Sequence, residues 1–184
     1  EKIRLLKDRR QWMEEKSEKV RVYLEKEKDE IFICEKPGRY YLMDAGVYGS
    51  ESEFAERTAE LINFYESRSK SICYEIGYIQ YAKDVRQQNY GNYSNVILLM
   101  KHKTGGMSWH FMPAGRYLTT YFKGHWRDIG KAYRDLLAYA DAHQMELAEE
   151  FLEVYTVDQL MAETVDDYVT EISVRICGGD RGEL

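Results

Sequence analysis

Proline is almost absent from this chain. Only Pro37 and Pro113 occur in 184 residues, so nearly the whole length is free to enter helix or strand. Cysteine is scarce as well. Cys34, Cys73 and Cys177 are scattered, odd in number and without a Cys-x-x-Cys pair, which excludes a disulfide framework and fits a reducing cytoplasm. The four histidines show neither HExxH nor HxH spacing, so no metal and no cofactor is expected. There is no Gly-x-Ser-x-Gly elbow and no phosphate-binding P-loop. No apolar run approaches the roughly 18–20 residues of a membrane span. The opening EKIRLLKDRR also lacks the basic-then-apolar layout of a secretory signal. Positive charge is in deficit, 26 Lys and Arg against 32 Asp and Glu for a net −6, which disfavours a generic polyanion binder. The expectation is a cytoplasmic protein with no membrane partner.

What remains is a wet surface around a real core. The chain is 44% apolar and 32% charged, with mean hydropathy −0.60, enough for one domain or one domain plus an appended element. Tyrosine is abundant, 16 against 6 Phe and 3 Trp. Its flat face and polar tip suit strand surfaces, or the walls of an aromatic pocket.

Residues 1–30 contain no Gly or Pro and carry ten basic and nine acidic side chains. Ile3, Leu6, Met13, Val20, Leu24 and Ile31 fall on a three-four ladder, interrupted at Arg10, Ser17 and Glu27. Residues 1–33 therefore read as a dimerisation linker helix, a coiled coil forming a homodimer. It begins at Glu1 without a cap, as though continuing from a longer chain. Two copies of one pattern follow in residues 37–177. RYYLMDA, a helix over 52–67, SICYEIGYIQY and SNVILLMKHK make the first. RYLTTYF, a helix over 126–143, EFLEVYTV and DYVTEISVRI make the second. Each opens on nearly the same words, PGRYYL and PAGRYL, at the two prolines. The fold class is α+β, a duplicated strand-helix-strand-strand domain with a curved antiparallel sheet and a cleft where the halves meet. Lys103–Ser108 reads as a hairpin turn, Ala82–Tyr93 as a polar loop near the cleft, and 178–184 as a flexible tail.

FLEVY carries the chemical question. Strand parity puts Phe151, Glu153 and Tyr155 on one face and Leu152 and Val154 on the other. An unpaired carboxylate between two aromatics is expensive to bury. Glu75 in SICYEIGYIQY and Glu171 in DYVTEISVRI are comparable strand glutamates, and a solvent face is the expectation for both.

The segment from PAGRYLTTYFKGHW through AYRDLLAYADAHQ, FLEVYTVD and VDDYVTEISVRI resembles the GyrI-like effector-binding domain. With its leading helix the chain resembles the linker and drug-sensing domain of MerR-family transcription regulators of the multidrug (BmrR-like) branch. The resemblance implies a small-molecule effector, a hydrophobic cation or aromatic drug, held by Glu153 inside an aromatic pocket. It places Asp166 and Tyr168 in the pocket lining, with Tyr155 and Phe151 beside the acid, Tyr74 and Phe54 as further ring contacts and Trp126 as a wall. It implies DNA contact only through a winged-helix domain that this sequence does not contain. Two other readings stand beside it. One is a GyrI-like small-molecule hydrolase using Glu153 with Tyr168 or Tyr155 as general acid and base; the other is a protein-binding module acting through a sheet edge.

Overall fold

The computed structural model describes residues 2–27, 29–69, 73–90, 94–158 and 161–178. Helix α1 (Lys2–Leu24) leads into strand β1 (Ile31–Lys36). The first repeat follows as β2 (Arg39–Val47), α2 (Glu51–Glu66), β3 (Glu75–Tyr81), a short helix α3 (Ala82–Arg86) and β4 (Ser94–Met100). A brief strand β5 (His110–Met112) precedes the second repeat, β6 (Gly115–Lys123), α4 (Gly130–Ala142), β7 (Glu146–Val157) and β8 (Val169–Cys177). The anticipated helix over 1–33 thus stops at Leu24. Ile31, expected on its apolar ladder, instead opens β1 opposite Thr120. The run Ile31-Phe32-Ile33 is rich in β-branched and aromatic side chains, and pairing with β6 outweighs the helical pattern before it.

Among the described residues all eight strands form one sheet in the order β1-β6-β8-β7-β3-β4-β2-β5, and every neighbouring pair is antiparallel. The halves meet at β3 and β7. Gly77 is needed at that seam, because a Cβ there would lie 2.5 Å from the Glu153 carbonyl oxygen. The edge strands are exchanged: β1 precedes the first repeat yet pairs with β6 of the second, and β5 precedes the second yet pairs with β2 of the first.

This exchange forces the sheet to curl. β1 and β2 stand six strand spacings apart, about 28 Å in a flat sheet. Only Pro37 and Gly38 separate them, and three residue steps span at most about 11 Å. Pro113 and Ala114 impose the same limit between β5 and β6. The near-identical proline words therefore mark where the two edges are drawn together, and the Gly38 backbone packs against Phe111 and Ala114 accordingly. Residues Lys103–Ser108 are not a hairpin turn. They carry the chain from β4 past β2 to β5, which pairs on the far side of β2.

Helices α2 and α4 cover the outer face. α4 repeats apolar residues at helical spacing and buries Tyr133, Leu136 and Ala140, with Ile129 just before it, over Leu118, Phe151, Ile172 and Val174; fully burying each large side chain is worth about 1.5–3 kcal/mol. α2 is held more lightly, with Tyr65 its one buried residue, packed on Leu42, Leu98 and Met100. The inner face gathers Tyr41, Ile79, Ile97, Leu99, Leu152 and Val154.

Glu75 and Glu171 also point inward, contrary to the solvent-face expectation. They are buried, and each is met by cations from distant elements. Lys36 Nζ lies 2.6 Å from Glu171, and Lys19 Nζ of α1 lies 2.6 Å from Glu75, which Arg39 also engages. Lys36 pairs in register with Gly115 and Glu171 with Tyr121, about 20 Å apart along a strand. Their contact is possible only across the inside of the curl. Burial pushes Glu75 up, but Lys19 and Arg39 pull it down to about 2. Glu171 is likewise pushed up by burial yet lowered on balance by Lys36 and Lys19.

Candidate ligand-binding site

Glu153 sits at the centre of β7 on the outer face, opposite Tyr78 of β3 and Ile172 of β8. It is 8% exposed. Its carboxylate accepts a hydrogen bond from the Tyr133 hydroxyl at 2.5 Å, and among the described residues no lysine or arginine reaches it. Burial pushes the carboxyl up to about 7, and the Tyr133 bond only partly offsets this. Of the three glutamates buried among the described residues, Glu75 and Glu171 are neutralised by cations; Glu153 is not.

Aromatic rings enclose it. Tyr78 meets Tyr155 edge-on at 5.7 Å and Phe54 of α2 at 5.1 Å. Tyr155 in turn meets Tyr168 at 6.2 Å. On the other side Tyr90 stacks on Tyr133 at 5.2 Å and 9°, and Tyr133 lies edge-on to Phe151 at 5.6 Å. The Tyr78 hydroxyl is directed at that of Tyr155. Burial raises both hydroxyls, Tyr155 to about 12 and Tyr78 well above its ordinary value, with the nearby Glu153 charge acting in the same direction. A positive group introduced here meets ring faces and an anion held out of water.

The structure therefore brings Glu153, Tyr155, Tyr168 and Phe54 together. Phe151 shares the face but is wholly buried beneath α4. Trp126 stands in the turn before α4 beside His125, at the rim between the helices, where Arg127 pairs with Glu51 of α2 at 3.2 Å. Two residues do not join the group. Tyr74 precedes β3, and its hydroxyl bonds Glu66 at 2.8 Å while its ring packs on Tyr65, at the C-terminal end of α2. Asp166 is exposed, and lines a separate cavity of about 430 Å³ with Tyr23 of α1 and Tyr121 of β6. Sequence reasoning missed Tyr133, Tyr78 and Tyr90 as site residues. Tyr133 was visible only as part of the apolar stripe of α4, and Tyr78 only as one more strand tyrosine.

Two copies of a strand-helix-strand-strand unit thus share one antiparallel sheet, with a buried acid, neutralised by no cation among the described residues, beside aromatic rings where the copies join. The chain belongs to the GyrI-like family: the model of the GyrI-like small molecule binding domain matches residues 30–176. A regulator of multidrug-efflux transporter 2 from Bacillus subtilis is 21% identical over 126 residues, 68% of this chain and 45% of that protein. The chain thus spans less than half the length of that relative. Among solved structures, the EcmrR C-terminal domain aligns over 82% of this chain and 98% of its own, with TM-score 0.67 and 14% identity. A hydrolase from Listeria innocua aligns over 88% and 98%, with TM-score 0.57 and 9% identity. These structures share the fold.

Proposed function

We propose that this chain is the ligand-sensing domain of a transcription regulator, and that it captures lipophilic cations at Glu153. The observation that carries the reading is the contrast among the three buried glutamates: the only one left without a cation is the one surrounded by tyrosines and Phe54. Cation–π contacts of about 0.5–2 kcal/mol each and a carboxylate at close range, about 4 kcal/mol at 4 Å and effective dielectric 20 before desolvation, would select flat, greasy, positive molecules over any one shape. Entry requires the rings to part, and Phe54 rides on the lightly anchored α2. The regulatory role rests on the resemblance to regulator domains and on α1, which turns Ile3, Leu6, Met13 and Leu24 outward and can pair with a second copy.

The hydrolase alternative has one observation in its favour, a carboxyl near pH 7 beside a tyrosine hydroxyl. The raised pKa values of Tyr133 and Tyr155 weigh against either as a proton donor near neutrality. Strand addition has little to work with at β5, an edge strand of three residues.

Tetraphenylphosphonium and tetraphenylborate share a shape and differ in sign. Fluorescence titration should show the cation binding at least tenfold more tightly than the anion. Equal affinities, or preference for the anion, would remove the charge-trap role.

A further inference from the structure

We propose that Tyr90 is a built-in stand-in for the ligand, a ring that covers Tyr133 next to Glu153 until an aromatic cation displaces it. The proposal rests on the cation reading of Glu153 and names the group that a ligand must bring. Tyr90 follows α3, whose buried Ala82 and Val85 belong to the core that α4 covers. Backbone bonds carry the turn as far as Asn89, whose N–H donates to the Asp84 carbonyl at 2.9 Å. Tyr90 then lays its ring almost parallel to that of Tyr133, 5.2 Å away and 9° from coplanar. Tyr133 has no exposed surface, whereas Tyr90 is half-buried. From the surface inward the order is Tyr90, Tyr133, Glu153, the last two joined by the 2.5 Å hydrogen bond.

Two observations set Tyr90 apart from an ordinary core ring. α4 opens on Gly130, with no side-chain cap and no acid in its first turn, a weak start for a helix that carries a site residue. Tyr90 accounts for that glycine, because a Cβ at position 130 would lie 2.7 Å from its ring. The seat for the ring is thus built into the beginning of α4. The Tyr90 hydroxyl, in contrast, is buried without a hydrogen-bond partner among the described residues, and an unsatisfied buried hydroxyl is costly. The docked ring is well fitted along its face and penalised at its tip, a combination that suits a group meant to leave. A ligand ring in its place restores the stacking on Tyr133, frees the hydroxyl to reach water and brings a positive charge beside Glu153. An alkyl cation would restore the charge pairing and leave the Tyr133 face uncovered. The favoured guest is therefore an aryl cation.

Fluorescence titrations and melting curves of the full chain with two substitutions test this. Tyr90→Ala removes the competitor; with the ring docked in about nine molecules of ten or more, tetraphenylphosphonium should bind at least tenfold more tightly. Tyr90→Phe keeps the ring and deletes the unsatisfied hydroxyl, so without ligand it should melt above wild type, and it should bind about tenfold more weakly. Wild type should prefer tetraphenylphosphonium to tetrabutylphosphonium about tenfold. Unchanged or weaker binding by Tyr90→Ala would make Tyr90 a plain wall of the pocket and overturn the proposal. So would a Tyr90→Phe protein melting below wild type, or equal affinity for the aryl and alkyl cations. Tetraphenylborate separates this outcome from the charge trap. It too must displace the ring, so Tyr90→Ala should tighten both ions by the same factor even where wild type binds them equally. A cation preference kept intact with no effect of Tyr90→Ala refutes the displacement alone, and no binding of any ion to either protein refutes both.

Discussion

Replacing Glu153 by glutamine tests the central physical claim through stability as well as binding. The variant keeps the volume and the hydrogen bond from Tyr133 while removing the charge. Glu153 rises from an ordinary 4.5 to about 7 in the folded chain. A group with a raised folded pKa favours folding fully below its unfolded pKa, and that contribution is lost as pH climbs through the folded pKa. The shift of two to three units corresponds to about 3 kcal/mol at 1.36 kcal/mol per unit, expressed between pH 4.5 and 7. The ligand-free wild type should therefore match Glu153→Gln near pH 4.5–5 and fall behind it by about 2–3 kcal/mol at pH 8. For a chain of this size that is a melting gap of roughly 5–10 °C. Cation affinity should move the opposite way: in the wild type it rises about tenfold per pH unit up to about 7 and then levels, with a proton released on binding below that point. In Glu153→Gln it should be flat and at least tenfold weaker at pH 8. Melting curves and calorimetric titrations with tetraphenylphosphonium from pH 5 to 8 measure both quantities. Parallel pH profiles for wild type and variant, in stability and in affinity, would refute the account of Glu153 as an uncompensated buried acid.

The inner ion pairs and α1 make their own predictions. Glu171→Gln leaves Lys36 buried without its partner and should cost about 3 kcal/mol in urea unfolding, most of it recovered in the double variant Lys36→Met, Glu171→Leu; an additive double variant contradicts the pairing. Glu75 is held at about 2, so its contribution is complete above pH 4.5 and lost as pH falls toward 2, and acid unfolding of Glu75→Gln should show a shallower slope across that window. The outward stripe on α1, with Leu6 63% and Met13 60% exposed, should pair two chains: Leu6→Glu with Met13→Glu should sediment as a monomer while binding tetraphenylphosphonium normally, and a dimer surviving both changes rules the stripe out as the contact.

What could be read from the residues was whatever local pattern controls. The two proline words, the apolar stripes of the two main helices and the alternation in FLEVY do not depend on distant partners, and they gave the repeat, the helices and the face of Glu153. What escaped depends on pairing across the chain. Ile31 reads as the end of a helical ladder until β6, some ninety residues away, offers it a strand partner. Glu75 and Glu171 read as solvent acids because their cations lie 56 and 135 residues off. Tyr74 and Tyr78 look equivalent in the sequence, but the register of β3 on β7 puts Tyr78 against Glu153 and leaves Tyr74 beyond the strand.

That register also explains why the duplicated domain presents a single charge. Directly opposed residues of an antiparallel pair are exchanged by the local twofold between the strands. At the β3–β7 seam, Tyr78 therefore occupies in one half the place that Glu153 occupies in the other. Two acids at these positions would face each other, and their repulsion would drive one to stay protonated. A tyrosine opposite the acid instead supplies a ring face to a bound cation, and its hydroxyl turns toward Tyr155. The asymmetry within an otherwise repeated frame leaves one carboxylate at the centre and rings on both sides of it, with α4 bringing the hydrogen bond from Tyr133 that makes burial of that carboxylate tolerable when no cation is bound.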